Sequence, residues 1–192
     1  MKDVMIATGN SNKVKEYRQM LEPLGYTVHE LKEIEHLEVE ETGHSFAENA
    51  LIKAENIKDI CNMIVIADDS GLEIEALDNQ PGINSARFLA GYDYDYKNKA
   101  ILEMLKNESN RKACFVCAIA LVEEEKHVFE GVMEGSIAYE MKGENGFGYD
   151  PIFMTKEYGL TVAQLTSQQK NAISHRGKAT KLLLEYLKGK TK

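Results

Sequence analysis

The segment VIADDSGLEI (residues 65–74) decides how this chain is organised, because it joins an apolar run to two adjacent carboxylates. The apolar run predicts a buried strand over 63–67 that ends at Asp68 and Asp69. In an open α/β sheet, the carboxyl end of a strand is the favoured position for a ligand. Asp-Ser-Gly is also good turn chemistry, so a purely structural turn is the alternative.

Two adjacent acids need a reason to be buried together. Desolvated carboxylates about 4 Å apart repel by roughly 4 kcal/mol at an effective dielectric near 20. A cation relieves that repulsion, and an oxygen-rich site that retains water suits Mg²⁺. Further acids occur in EVEETGHSFAENALIKA (38–54) at Glu38, Glu40 and Glu41, just before a predicted helix on which Lys53 lies. They are candidate metal ligands, or they only complement the helix dipole.

The segment ATGNSNK (7–13) lies where a predicted strand gives way to a helix. Backbone N–H groups and the dipole at a helix start favour an anion, and Lys13 in the first turn can reach a phosphate. The spacing is not that of a Walker A loop. The alternative is an ordinary helix cap with a solvated lysine.

Two later segments carry the residues expected around a flat ring. In GFGYDP (146–151), Phe147 and Tyr149 are suited to stacking, and Asp150 can accept from a ring N–H. Donors follow in KNAISHRG (170–177), namely Lys170, His175 and Arg176. The alternative assigns the aromatics to the core and the histidine to a structural hydrogen bond. A phosphate loop, metal carboxylates and a ring platform together indicate a nucleotide.

Composition limits the class of protein. The chain has 192 residues and a net charge of −8, which suits one domain, possibly with two lobes, and disfavours a general nucleic-acid binder. No segment approaches the length of a membrane span or a signal peptide, so we expect a cytoplasmic protein without membrane partners. The three cysteines, Cys61, Cys114 and Cys117, fit a reducing compartment. Cys114 and Cys117 are expected on opposite sides of a buried strand rather than as a redox pair.

Periodicity predicts an α/β fold with a mixed sheet. Helices are predicted over 12–25, 45–61, 95–106 and 172–190. Strands are predicted over 3–8, 26–31, 63–67, 112–122 and 126–133. The first helix is expected to bury Val14, Tyr17, Leu21 and Leu24, and the last Ala179, Leu182, Leu183, Tyr186 and Leu187. Ser45 and Glu48 predict a capping box.

Six motifs in order resemble the Ham1/inosine triphosphate pyrophosphatase family, closest to its bacterial dITP/XTP branch. They are ATGNSNK, EETGHSFAENALIKA, ADDSGLEIEAL, PGINSARF, GFGYDPIF and KNAISHRGKA, and the resemblance runs from Met5 to about Leu187. It implies hydrolysis of ITP, dITP and XTP to the monophosphate and pyrophosphate. It also implies a single domain over 1–192 with two lobes, a long mixed β-sheet flanked by helices, an active-site cleft between the lobes, Mg²⁺ as cofactor and a homodimer.

The resemblance also assigns roles to residues. Asp69 matches the catalytic carboxylate and a metal ligand, and either Glu40 or Glu41 matches the other metal ligand. The phosphate-binding loop matches Thr8, Gly9, Asn10, Ser11, Asn12 and Lys13. Ser70 adjoins the substrate, and the base-binding set matches Phe147, Gly148, Tyr149, Asp150, Lys170, His175 and Arg176. From its place on the helix, Lys53 is a further substrate-binding candidate.

Two other classes of function stay open at this point. One is a pyrophosphatase for other modified nucleotides, as in the structurally similar Maf-type proteins. The other is a nucleotide sensor without catalysis, which needs neither a base nor a metal.

Overall fold

The computed structural model describes residues 2–35 and 39–189. Within these ranges the helices are α1 (Ser11–Leu21), α2 (Phe46–Lys58), α3 (Tyr94–Met104), α4 (Ser167–Ile173) and α5 (His175–Gly189). The strands are β1 (Lys2–Ile6), β2 (Tyr26–Glu30), β3 (Ile64–Ile74), β4 (Gln80–Pro81), β5 (Lys112–Val122), β6 (Lys126–Ile137) and β7 (Phe153–Thr155). Glu38 and the last residue of the predicted C-terminal helix, Lys190, lie outside the described residues.

The strands form one mixed sheet. Their order is β2-β1-β3-β5-β6-β7, and β4 pairs with β3. β1 is parallel to both β2 and β3, whereas the β3–β4 and β6–β7 pairs are antiparallel. The predicted mixed α/β fold is therefore confirmed, and the predicted cleft between lobes stays a prediction.

No helix among the residues described here combines the length and apolar character needed to cross a bilayer.

β3 is longer than its sequence pattern predicts. It continues without a break through Asp68 and Asp69 to Ile74, so the predicted strand end and the alternative turn are both wrong. Pairing within the sheet outweighs local turn chemistry here, because β3 lies beside β5 in the strand order and also pairs with β4 at Glu73 and Ile74. The parallel pairing with β1 stops at Ile66. Both acids therefore lie beyond the carboxyl end of β1, although they lie inside β3.

The chain divides into two compact units. The first unit comprises the described residues up to Asp69, Cys117–Glu130 and those from Ala179 onward, and the second comprises Ser70–Val116 and Gly131–Lys178. The first unit buries a core of Val4, Ile6, Val14, Tyr17, Leu21, Val28, Ile66, Cys117, Ile119, Leu121, Ala179, Leu183 and Leu187. The second unit buries a core of Leu72, Ile74, Ile101, Leu105, Ala113, Phe115, Met133, Ile137, Tyr149, Ile152, Phe153 and Val162.

Two leucines predicted to be buried are exposed. Leu24 is 44% exposed because α1 ends three residues earlier and the chain turns through a 3₁₀ segment to Gly25, which has a φ of 85°. Leu182 is 45% exposed because the buried stripe of α5 follows the four-residue spacing of Ala179 and Leu183. The other residues predicted on these two faces are buried or partly buried.

The cysteines are present as thiols. Cys114 and Cys117 both lie in β5, as predicted. Cys117 is fully buried, whereas Cys114 is partly exposed beside Glu73. Burial, with help from the Glu73 charge, raises the pKa of the Cys114 thiol to about 11. Both thiols are therefore structural side chains at neutral pH.

Candidate active site

The two adjacent acids are separated by the strand that carries them. Successive side chains of an extended strand point to opposite faces, so Asp68 and Asp69 diverge. Asp68 Oδ2 lies 2.9 Å from Lys13 Nζ, and Asp69 Oδ1 lies 3.3 Å from Lys53 Nζ. The two aspartates therefore contact different ammonium groups, which offset part of the cost of burying them. Asp68, which the sequence left without a firm role, anchors Lys13.

The segment from Thr8 to Lys13 lies where β1 gives way to α1, as predicted, and its last three residues form the first turn of the helix. Asn10 is the N-cap of α1, and its side-chain oxygen accepts from the N–H groups of Asn12 at 3.0 Å and Lys13 at 3.4 Å. Thr8 Oγ1 accepts from the Asn10 N–H at 3.2 Å. Gly9, Asn10, Ser11 and Asn12 are exposed. The loop therefore has an ordered start to its helix and a surface open to an anion.

The segment before α2 brings a third carboxylate to the site, where it meets Lys53 of that helix. Glu41 Oε1 accepts from Lys53 Nζ at 2.6 Å, whereas Glu40 is exposed. The N-cap Ser45 accepts from the Glu48 N–H at 3.1 Å, as the predicted capping box requires. The reciprocal bond differs, because the Glu48 carboxylate accepts from the N–H of the preceding residue, His44, at 2.6 Å.

The first unit holds an excess of negative charge at this point. The carboxylates of Asp68, Asp69 and Glu41 face the two ammonium groups of Lys13 and Lys53. Burial raises the pKa of Asp69 above its ordinary value, and the nearby Lys53 charge only partly opposes that shift. Burial would lower the pKa of Lys53, but the surrounding carboxylates, Asp69 foremost, raise it. Two ammonium groups do not neutralise three carboxylates.

A divalent cation fits this set of donors. Glu41 and Asp69 both contact Lys53 Nζ, so their oxygens converge on one positive charge. In the described ranges no three or more His, Cys, Asp and Glu side chains cluster as a metal cage. Two carboxylates with water and substrate phosphates are a usual provision for Mg²⁺, so the residues present suit a cation shared with a polyphosphate.

The second unit contains the residues predicted to bind a base. The buried carboxylate of Asp150 accepts through Oδ2 from Lys170 Nζ at 2.8 Å and from the Phe147 N–H at 2.9 Å. Lys170 Nζ also lies 4.5 Å from the centre of the Phe147 ring. Gly146, with a φ of 77°, leaves no room for a Cβ, which would stand 2.0 Å from Asp150 Oδ2. The loop is thus wrapped around one carboxylate.

The remaining predicted base-binding residues are largely buried in the same unit. Arg176 donates through Nη2 to Ser70 Oγ at 3.0 Å, and the His175 ring stacks on Phe115 with centroids 4.8 Å apart. Tyr149 belongs to the core of the second unit, and its hydroxyl donates to a buried backbone carbonyl at 2.8 Å. Its predicted stacking on a base stays a prediction.

Two asparagines support these groups and were missed by the sequence reasoning. Asn49 is fully buried, donates to Asp69 Oδ2 at 3.2 Å and accepts from the Gly43 N–H at 2.9 Å. Asn98 is also buried and donates to the Gly148 carbonyl at 3.0 Å. The available signal for Asn49 was its position four residues before Lys53, which places both on one helix face.

Comparisons with known proteins agree with these motifs. The sequence model of the Ham1 family matches residues 4–186. A protein of Bacillus subtilis named dITP/XTP pyrophosphatase is 49% identical over 193 aligned residues, covering 97% of this chain and 98% of that protein. The Ham1 protein of Staphylococcus aureus superimposes with a TM-score of 0.88 at 42% identity, covering 98% of this chain and 100% of that one. A HAM1 protein of Coxiella burnetii gives 0.90 at 39% identity with the same coverage.

The mixed sheet and its flanking helices define an α/β protein of the kind these relatives represent. The chain belongs to the Ham1 family.

Proposed function

We propose that this protein hydrolyses the deaminated purine nucleoside triphosphates ITP, dITP and XTP to the monophosphate and pyrophosphate. Its family membership and its near full-length similarity to a protein named dITP/XTP pyrophosphatase support the proposal. The observation that carries it is the buried Asp69, held by hydrogen bonds beside Lys53 and a second carboxylate. Such an enzyme removes these nucleotides before they enter DNA or RNA.

The reaction adds water to the α-phosphorus and breaks the bond to the β-phosphate oxygen, so that pyrophosphate leaves. Asp69 is the carboxylate we assign to orienting that water and accepting its proton. Lys13 and the start of α1 are assigned to the phosphates, where fixed positive charge offsets the charge on the leaving group.

Mg²⁺ is part of the proposal, with Asp69 and Glu41 as the protein ligands. Glu41 is preferred to Glu40 because its carboxylate contacts the same ammonium as Asp69 does. When bound, the ion would neutralise phosphate charge and orient the polyphosphate. The lysines then supply the rest of the positive charge.

Base selection is assigned to the second unit. Hypoxanthine presents an acceptor at position 6 and a donor at N1, and adenine reverses both. His175, Arg176 and Lys170 carry donors, and Asp150 carries an acceptor that already orders the loop. A buried set of this polarity leaves groups unpaired against adenine, and such sites can discriminate by about 10⁴-fold.

The family resemblance further supports a homodimer located in the cytoplasm. Light scattering coupled to gel filtration tests the assembly, and a monomer at micromolar concentration contradicts it.

One panel of assays tests the activity. Pyrophosphate release is measured from ITP, XTP, dITP, ATP, GTP and dTTP, with and without Mg²⁺. We expect release from the first three, dependent on Mg²⁺, and at least ~10²-fold lower kcat for Asp69→Asn with nucleotide binding retained. Release from none of the six supports a sensor instead. Faster release from dTTP than from any of the purine nucleotides supports a Maf-like substrate class.

A further inference from the structure

Asn49 has a buried side-chain amide whose nitrogen and oxygen both form hydrogen bonds. It lies on the inward face of α2 beside apolar residues such as Phe46 and Ala50, where helical spacing favours an apolar side chain. Its Nδ2 donates to Asp69 Oδ2 at 3.2 Å, and its Oδ1 accepts from the Gly43 N–H at 2.9 Å. These partners fix the orientation of the amide, because a carboxylate requires a donor and an N–H requires an acceptor.

Asn49 acts together with the residue one helical turn further on. Lys53 contacts the other oxygen of Asp69, Oδ1, at 3.3 Å and Glu41 Oε1 at 2.6 Å. Each of the two side chains therefore joins the Asp69 carboxylate to the 41–43 segment, one at Gly43 and one at Glu41. Both oxygens of Asp69 accept hydrogen bonds, so the orientation of the carboxylate is fixed.

Gly43 fits this arrangement because it approaches Asn49 closely. A Cβ on Gly43 would stand 2.7 Å from Asn49 Oδ1 and 2.7 Å from the Cβ of Glu48. A larger residue here would push the amide away from its position. The glycine and the asparagine thus form one packed contact.

We propose that Asn49 is a positioning residue for the hydrolysis, acting through Asp69 and the segment that carries Glu41. It holds Asp69 Oδ2 while Oδ1 faces Lys53, and its carbonyl oxygen ties that carboxylate to the backbone of the 41–43 segment. The amide is suited to this because it donates and accepts without adding charge. A fourth carboxylate at this point would repel Asp69. The inference rests on the proposed catalytic role of Asp69.

The test compares Asn49→Ala and Asn49→Asp with a matched control. Asn56→Ala is the control, because Asn56 is exposed on the same helix and donates to the Ile52 carbonyl one turn earlier. The assay is steady-state release of pyrophosphate from dITP, normalised to folded protein by circular dichroism. A group displaced by about 1 Å costs up to ~10²-fold in rate. We expect kcat to fall at least ~10-fold for Asn49→Ala and further for Asn49→Asp, with KM within ~3-fold.

Two further measurements separate positioning from a general loss of stability. In an Asp69→Asn background, Asn49→Ala should lower kcat by less than ~3-fold, because residues that act as a unit are not additive. Gly43→Ala, which deletes no buried side chain, should also lower kcat. This variant tests the same contact if Asn49→Ala does not fold.

The outcomes are distinguishable. Near-wild-type kcat in both Asn49→Ala and Gly43→Ala, or full additivity with Asp69→Asn, overturns the role of Asn49 alone. Near-wild-type kcat in Asp69→Asn overturns the catalytic assignment and this inference with it.

Discussion

Replacing Lys13 by methionine is expected to destabilise the protein by about 3 kcal/mol. The Lys13–Asp68 pair is 2.9 Å long, with side-chain exposures of 14% and 0%. Its gross attraction is roughly 6 kcal/mol at an effective dielectric near 20. Removing one partner of a buried pair typically costs about 3–5 kcal/mol, because the other charge stays buried. The residual exposure of Lys13 places the expected loss at the lower end.

The loss is measured by thermal melting and by urea unfolding at pH 7. For a chain of this size, about 2–4 °C of melting temperature corresponds to each kcal/mol, so we expect a decrease of about 6–12 °C. Lys15→Met is the matched control, because Lys15 is exposed on the same helix. A surface substitution of this kind is expected to change stability by no more than about 0.5 kcal/mol.

A double-mutant cycle identifies the source of the loss. Asp68→Asn removes the buried charge, so Lys13→Met should cost about 2 kcal/mol less in that background than in the wild type. A melting temperature for Lys13→Met within about 2 °C of wild type would refute the reasoning. So would an equal loss in both backgrounds, because the pair would then contribute nothing specific.

Three other changes give further tests. The pKa of His29 is raised, chiefly by its 2.8 Å hydrogen bond to Glu33. The stabilisation it provides is therefore complete below the unfolded-state pKa of about 6.5 and is lost as the pH rises through the raised value. The melting advantage of wild type over His29→Gln should shrink between pH 5.5 and 8, and a constant difference contradicts this. Tyr149→Phe leaves a buried carbonyl without its 2.8 Å donor, so urea unfolding should show a loss of about 1–3 kcal/mol, and an unchanged midpoint would exclude that role. Glu41→Gln should lower kcat at least ~10-fold while Glu40→Gln stays within ~2-fold, and the reverse order would move the metal-binding assignment to Glu40.

Periodicity predicted helices and strands of the fold because their buried faces repeat locally. The helix predicted over 45–61 is α2 (Phe46–Lys58), and the strand predicted over 112–122 is β5. The course of β3 was not predictable in this way. Its continuation through Asp-Ser-Gly depends on its neighbours in the sheet, β5 beside it and β4 at its end, and the local turn residues do not encode that pairing.

The arrangement of the charged side chains in the site could not be predicted without the three-dimensional structure. The sequence placed a cation at Asp68 and Asp69 because adjacent acids were expected to face one point, and the extended strand separates them instead. The role of Asn49 was missed for a related reason. Helical periodicity recognises apolar residues, whereas the need for an amide here is set by Asp69, twenty residues further along the chain.

The cysteine environments make the native chain suitable for site-directed fluorescence without mutagenesis. Cys117 is buried, and the raised pKa of Cys114 keeps it protonated near neutral pH, where alkylating reagents attack thiolates. Cys61 is partly exposed and follows α2, the helix that carries Asn49 and Lys53. A maleimide dye added at neutral pH is therefore directed to Cys61, where its emission reports on α2 as nucleotide is added.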